Sequence, residues 1–198
     1  MALAYALHRL LLSRALSRDP MDVPLERNEL GCPRVRGHDV CTSLSHADGL
    51  IALAVAEGPV GVDVEPAARA AVMTEIARQV YHYSEATGLF VLGETERNAA
   101  LLAMWVRKEA VLKAAGVGLA TPMQTFAAPE HASLRLPASL FGEAMQVRML
   151  AADDRCVAAV AGPCGASIDC RWVRPALGAY AEEPSSCRDW TPIRSALP

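Results

Sequence analysis

Zinc-binding cysteine pairs are missing from this 198-residue sequence: none of its six cysteines forms a Cys-x-x-Cys unit, and no histidine completes a zinc-ligand spacing. A structural zinc site is therefore not expected. Free, reduced cysteines are the simplest interpretation, because disulfides persist mainly in oxidising compartments. The sequence accordingly predicts a cytoplasmic protein.

Long apolar runs and an excess of basic residues are missing too. No run reaches the ~18 apolar residues of a membrane-spanning helix. The formal net charge is −3 and the isoelectric point is near 6.0, whereas nucleic-acid-binding domains usually carry a basic excess. We expect neither a membrane nor a nucleic acid as partner. With 52% hydrophobic and 21% charged residues, the composition is that of a globular domain with a packed core.

The N-terminal segment has two interpretations. Residues 1–18 contain three arginines and no acid, which is also loosely typical of a transit peptide. The interpretation that we favour is an amphipathic helix that ends at Asp19-Pro20. The residues that recur at helical spacing, and would form its apolar face, are Leu3, Leu7, Leu10, Leu11 and Ala15.

Strands and helices are predicted in groups, which favours an α+β fold. The β-prone runs 51–56 and 60–65, separated by a Gly-Pro turn, predict a hairpin. A second hairpin is predicted from the runs 145–151 and 155–161. Other predicted features are a loop with one short strand (19–38), an extended run (41–45), a turn (46–49), helices (68–81, from Ser84, and 96–115 with Thr95 as N-cap), a strand (167–173) and a flexible tail (182–198).

Two carboxylates share one side of the strand over residues 60–65. Residues i and i+2 of a strand point to the same face, so Asp63 and Glu65 project together while Val62 and Val64 point to the core. Two adjacent like charges need compensation, and Mg²⁺ prefers oxygen ligands of this kind. The alternative is that both acids simply lie on an exposed strand face.

The longest predicted helix carries a second group of polar residues. Trp105, Glu109 and Lys113 are each four residues apart and therefore share one face. An ordinary surface Glu–Lys pair is the alternative, although the neighbouring tryptophan suggests partial burial. Gly116 and Gly118 act as a helix stop and not as a phosphate loop, because no strand–helix glycine motif surrounds them.

A third group lies at the end of the extended run, where Ser45 is followed by His46. A lone histidine is usually structural or exposed. Together with the acid pair, the third acid and the lysine, however, these residues fit a phosphoryl-transfer site, in which catalysis depends on positioning and on charge neutralisation.

Three blocks, in order and spacing, resemble the signature of Sfp-type 4′-phosphopantetheinyl transferases. They are SLSH (residues 43–46), VGVDVE (residues 60–65) and WVRKEAVLKAAGVGL (residues 105–119). A weaker resemblance extends from about Leu10 to Phe126. It implies transfer of the phosphopantetheine arm of coenzyme A to a carrier-protein serine. The resemblance also implies a single domain over residues 1–181 and a monomeric protein. This domain would consist of two similar halves, roughly 1–65 and 66–181, of which the first is shortened.

The resemblance also implies roles for individual residues. Asp63, Glu65 and Glu109 would hold Mg²⁺ beside the coenzyme A diphosphate, with Glu109 as general base. Lys113 and His46 would assist catalysis at the phosphates. The remaining expected contacts to coenzyme A come from Arg9, Cys32, Pro33, Arg34, Ser45, His46, Lys108 and Lys113.

Two departures from the family pattern bear on these roles. Cys32 stands where the family has a basic residue that contacts coenzyme A, and Arg34 is the nearest substitute. The chain also begins later than family members usually do, which leaves Arg9 and Arg14 as substitutes for an upstream arginine. Two other functions stay open on the residues alone: a non-catalytic protein that binds coenzyme A or a carrier protein, and an unrelated Mg²⁺-dependent phosphohydrolase.

Overall fold

A computed structural model describes residues 2–135, 144–152 and 154–172. The chain combines helices and antiparallel strands, so the α+β prediction is confirmed at that level. The helices are α1 (Ala2–Leu16), α2 (Met73–Val80), α3 (Tyr83–Phe90) and α4 (Glu94–Ala115). The strands are β1 (Leu25–Arg27), β2 (Pro33–Val35), β3 (Cys41–Ala47), β4 (Leu50–Ala56), β5 (Gly61–Pro66), β6 (Ser133–Arg135), β7 (Ala144–Leu150) and β8 (Cys156–Pro163).

The described strands form three antiparallel sheets: β1 pairs with β2, and all three sheets contribute residues to the site. β3 and β4 form a two-stranded hairpin, and a four-stranded sheet has the order β5-β8-β7-β6. The predicted hairpin between residues 51–56 and 60–65 is therefore wrong. The true turn is Asp48-Gly49, whose positive φ angles of 40° and 80° match the two-residue turn that joins twisted strands. The predicted hairpin over residues 145–161 is confirmed.

Serine hydroxyls join the two sheets. Val62 N donates to Ser43 Oγ at 3.1 Å and Val64 N donates to Ser45 Oγ at 3.4 Å. β3 therefore runs beside the free edge of β5, in the same direction, without a backbone ladder between them. This serine seam brings the SLSH and VGVDVE blocks together.

The long helix α4 lies against the four-stranded sheet and supplies much of the core. Its buried apolar residues pack with those of α2, β7 and β8, where Met73, Met145 and Val147 have no exposed surface. β5 approaches α4 so closely at Gly61 that a Cβ there would lie 1.9 Å from Ala110 O. Only glycine fits this crossing, which sets the distance between the acids of β5 and those of α4.

Helix α1 contradicts most of the expected apolar face, of which only Ala15 is buried. Ala4, His8, Leu12 and Ala15 are buried, whereas Leu3, Leu7 and Leu10 are 64%, 37% and 47% exposed. The buried His8 has a hydrogen-bond partner in Thr42, whose Oγ1 lies 2.6 Å from His8 Nε2. Because the single hydroxyl proton of Thr42 is donated to Ala54 O, His8 Nε2 is the donor in this bond. The small residues on the buried face let α1 lie close to β3 and β4.

Smaller differences concern element ends. α4 begins at Glu94 after Gly93, not after Thr95, and ends as expected at Gly116, whose φ is 71°. Residues 19–38 contain two short paired strands instead of one. No strand forms in residues 167–172, and both residue 173 and the predicted tail lie outside the described residues. None of the described helices is long and apolar enough to cross a membrane.

Candidate active site

A cavity of about 890 Å³ opens where α1, the β2–β3 segment, β5 and α4 meet. Its lining brings together nine of the eleven residues that the sequence singled out, although they are spread over 82 positions of the chain. These are Cys32, Pro33, Arg34, Ser45, His46, Asp63, Glu65, Glu109 and Lys113.

The cavity lining contains side chains of both charge signs. The basic residues are Arg27, Arg34, Arg36 and His38, of which only Arg34 was indicated by the sequence blocks. Arg27 lies 5.0 Å from the centre of the Tyr5 ring, and both side chains line the cavity. The same lining contains the three acids Asp63, Glu65 and Glu109. Such a cleft suits a ligand with several phosphate groups.

Asp63 is the most constrained of the three acids. It is only 3% exposed, so the alternative of a solvated strand face is wrong for this residue. Its Oδ1 accepts hydrogen bonds from Ser45 Oγ and from Lys113 Nζ, both at 2.7 Å. Its Oδ2 is buried and has no partner among the described residues. A buried carboxylate oxygen without a donor is costly, so this atom favours a bound cation or proton.

Glu65 and Trp105 share a cation. Arg69 forms an ion pair with Glu65, and its guanidinium carbon lies 4.7 Å from the centre of the Trp105 ring. Both partners of Arg69 line the cavity. No sequence pattern indicated Arg69, because the interval from Glu65 crosses from a strand into a 3₁₀ helix (Ala67–Val72).

Glu109 lies one helical turn beyond Trp105 and is 8% exposed. It forms no hydrogen bond or ion pair with any residue of the described ranges. Burial raises the pKa of Glu109 from 4.5 to about 7, and the charges of Asp63 and Glu65 add to this, while Lys113 and Arg69 oppose it. The alternative of an ordinary surface pair between Glu109 and Lys113 is therefore wrong, since Lys113 Nζ pairs with Asp63 instead.

The three acids fit a divalent cation in charge and in donor type. Three carboxylates face two cations, Lys113 and Arg69, which leaves one negative charge uncompensated. Oxygen donors are what Mg²⁺ requires. The side chains are not already arranged around one point, however: the described residues contain no group of three His, Cys, Asp or Glu side chains placed to hold a metal ion.

Two expected contact residues lie elsewhere. Lys108 is fully buried on another face of α4, where its Nζ donates to Val80 O, Met123 O and Glu85 Oε2. Helical geometry explains this, since adjacent residues point about 100° apart. Arg9 donates to Pro20 O and Val23 O and does not line the cavity. The expectation that these residues contact coenzyme A does not fit this arrangement.

The described chain is thus an α+β protein whose main cavity combines clustered acids, a lysine and several arginines. Comparison with known proteins then gives the family. Residues 59–161, just over half of the chain, match the family model of the 4′-phosphopantetheinyl transferase superfamily. The chain belongs to this superfamily, as the three sequence blocks indicated.

Curated relatives carry the same name. The chain is 28% identical over 118 residues to 4′-phosphopantetheinyl transferase gsp of Aneurinibacillus migulanus, covering 60% of this chain and 48% of that protein. It is 27% identical over 136 residues to 4′-phosphopantetheinyl transferase Sfp of Bacillus subtilis (strain 168), covering 66% of this chain and 60% of that protein. The chain thus matches only about half to three fifths of the length of these relatives.

Proposed function

We propose that this protein transfers the 4′-phosphopantetheine arm of coenzyme A to a serine of an apo carrier protein and releases 3′,5′-ADP. The observation that carries the proposal is the meeting of Asp63, Glu109 and Lys113 in the lining of one cavity that also contains several basic residues. The relatives' printed names support the reaction class.

In the proposed reaction, the serine oxygen attacks the phosphorus that bears the pantetheine arm. A bond from phosphorus to the serine oxygen forms, and the bond to the bridging oxygen of 3′,5′-ADP breaks. Glu109 accepts the serine proton, because a hydroxyl is a poor nucleophile without a base. A pKa of about 7 suits this role, since the carboxylate form is then populated near neutral pH.

Lys113 and His46 are proposed to stabilise the negative charge that develops on the leaving diphosphate oxygen. Mg²⁺ would be held by Asp63, Glu65 and Glu109, and its contribution would be neutralisation of the diphosphate charge. Ser45 has a positioning role in this proposal: its hydroxyl donates to Asp63 Oδ1, while the other, buried oxygen of that carboxylate has no partner among the described residues and would be the one that contacts a cation.

The test incubates the protein with coenzyme A, Mg²⁺ and several apo carrier proteins of the acyl, peptidyl and aryl types. Mass spectrometry should detect the gain of one phosphopantetheine group on a carrier. Glu109→Gln should abolish the gain, and Glu75→Gln, an exposed charge change on α2, should not. No mass gain on any carrier would count against the transferase, and an unchanged rate in Glu109→Gln would remove this residue from the chemistry.

A second candidate function is binding of coenzyme A or a carrier without transfer. Cys32 favours it, because an uncharged side chain lines the cavity at the position where the family has a basic residue. Calorimetry separates the two candidates: coenzyme A binding with no turnover selects the binding protein. Cys32→Lys should tighten coenzyme A binding about tenfold if a phosphate lies at this position, the size of one added charge-assisted hydrogen bond.

A further inference from the structure

The two acidic residues of the site that lie on β5, Asp63 and Glu65, each form an ion pair with a basic residue of the protein. Lys113 pairs with Asp63 at 2.7 Å, and Arg69 pairs with Glu65. The lysine belongs to the motif that the resemblance covers. The arginine does not, and it comes from the 3₁₀ helix that follows β5.

The Arg69–Glu65 pair differs from an ordinary surface ion pair. The Glu65 side chain is only 12% exposed, and the Arg69 side chain is 34% exposed. The guanidinium has a second attachment on the face of Trp105, whose indole Nε1 is buried without a partner in the described part of the chain. Arg69 is therefore held by two residues that line the main cavity.

Glu65 also separates two cavities. It lines the main one, and it lines a shallower depression of about 490 Å³ together with Asp48, Ala68, Arg69 and Val72. Arg69 thus lies beside Glu65 in the lining of the second depression and is not part of the lining of the main cavity. A cation that enters from the main cavity meets a carboxylate whose charge is already shared.

We propose that Arg69 is the resident counter-ion of Glu65, competes with the divalent cation for it, and so couples metal binding to the arrival of the diphosphate. This inference rests on the proposed metal-dependent function. A free divalent ion gains little from a carboxylate that is already paired and is repelled by the nearby guanidinium. An ion that arrives with a diphosphate brings anionic oxygens, which repay that loss.

Because the Arg69 guanidinium stacks on Trp105, Arg69 can release Glu65 without local unfolding of the protein. When Glu65 turns toward the ion, the guanidinium keeps its attachment to the indole face, and cation–π contacts at partly desolvated sites are favourable by about 1 kcal/mol or more. Arg69 is a positioning residue in this account: it sets the charge and the direction of Glu65 and forms no bond to the reacting atoms.

The test measures Mn²⁺ binding by the electron paramagnetic resonance signal of the free ion, with and without a fixed concentration of coenzyme A. Wild-type protein should bind Mn²⁺ weakly alone and more tightly with coenzyme A. Arg69→Gln should bind Mn²⁺ alone about tenfold more tightly, because one positive charge beside the site is removed. The extra tightening by coenzyme A should shrink in this variant.

Two control variants make the result specific. Arg78→Gln removes the same charge from an exposed position on α2 and should leave Mn²⁺ binding unchanged. Arg69→Lys keeps the charge but loses the planar guanidinium, so its Mn²⁺ affinity should stay closer to wild type than that of Arg69→Gln. Thermal unfolding of all variants checks that the fold is intact.

Three outcomes would overturn the inference. The first is that Arg69→Gln binds Mn²⁺ no more tightly than wild type does. The second is that Arg78→Gln gains as much Mn²⁺ affinity as Arg69→Gln. The third is that neither wild type nor Arg69→Gln binds Mn²⁺, with or without coenzyme A. The last outcome also removes the proposed metal site. Phosphopantetheine transfer is assayed separately, so loss of transfer with Mn²⁺ coupling intact counts against the proposed function and leaves the role of Arg69 standing.

Discussion

The crossing of β5 over α4 at Gly61 makes the strongest prediction about how the fold controls the site. In Gly61→Ala the added Cβ would lie 1.9 Å from Ala110 O and 2.4 Å from Ala114 N. Both neighbours are backbone atoms, so no side chain can move aside. The strand and the helix must separate by about 1 Å, and overpacking of this kind costs about 1–3 kcal/mol.

The same separation acts on the chemistry. Asp63 lies two residues beyond Gly61 on β5, and its partner Lys113 lies on α4, 2.7 Å away. A displacement of about 1 Å between reacting groups can cost about 100-fold in rate. We therefore expect Gly61→Ala to lose about 3 kcal/mol of unfolding free energy, the upper end of the overpacking range, together with most of its transfer activity.

Urea unfolding and initial transfer rates test this reasoning together. Gly88→Ala is the matched control, because a Cβ at this position of α3 meets nothing within 4 Å. It should raise the unfolding free energy by about 0.5–1 kcal/mol and leave activity unchanged. Wild-type stability in Gly61→Ala would refute the packing argument, and a destabilised variant with a wild-type rate would refute the link from packing to the site.

Three further predictions concern buried charge. Burial raises the pKa of Glu109 from 4.5 to about 7, so the stabilising contribution of this residue is present below pH 4.5 and lost as pH rises through 7. In urea unfolding, Glu109→Gln should therefore be more stable than wild type by up to about 3 kcal/mol at pH 8 and equal to it at pH 4. Equal stability of the two proteins at pH 8 would contradict the raised pKa. Burial, with a smaller contribution from Arg27, lowers the pKa of His8 from 6.5 to about 4, so stability should fall by up to about 3 kcal/mol as pH drops from 6.5 to 4; His8→Gln, measured over the same range, should remove that loss. Lys108→Met leaves the Glu85 carboxylate buried without its cation and should cost about 3–5 kcal/mol in unfolding free energy; adding Glu85→Gln should recover part of it, and an additive double variant would argue against the pair.

Local signals in the sequence were sufficient for most helices, for the second hairpin and for the composition of the site. Residues that share a strand or a helix face could be grouped by spacing alone, as for Trp105, Glu109 and Lys113. The motif blocks then linked groups that are far apart in the chain. All of this rests on periodicity and on residue order, which a single sequence contains.

Strand pairing and the partners of individual charges could not be predicted in the same way. The runs over residues 51–56 and 60–65 look like a hairpin, yet β5 pairs with β8, almost 100 residues later in the chain. Lys108 and Glu109 are adjacent in one motif, but the helix sends them to different sides. The exposed leucines of α1 show the same limit, because helical spacing identifies an apolar face without identifying which face packs on β3.

The hydroxyls of Ser43 and Ser45 join β3 to β5 through side-chain hydrogen bonds, with the Val62 and Val64 amides as two of the donors, in place of a continuous backbone ladder. An isolated hydrogen bond to a rotatable hydroxyl breaks more readily than the bonds of a backbone ladder. The Val62 and Val64 amide protons should therefore exchange with solvent before those of the neighbouring residues that bond to β8. We therefore expect the earliest local opening of the fold to move the β3–β4 hairpin away from the four-stranded sheet, which widens the cleft between them.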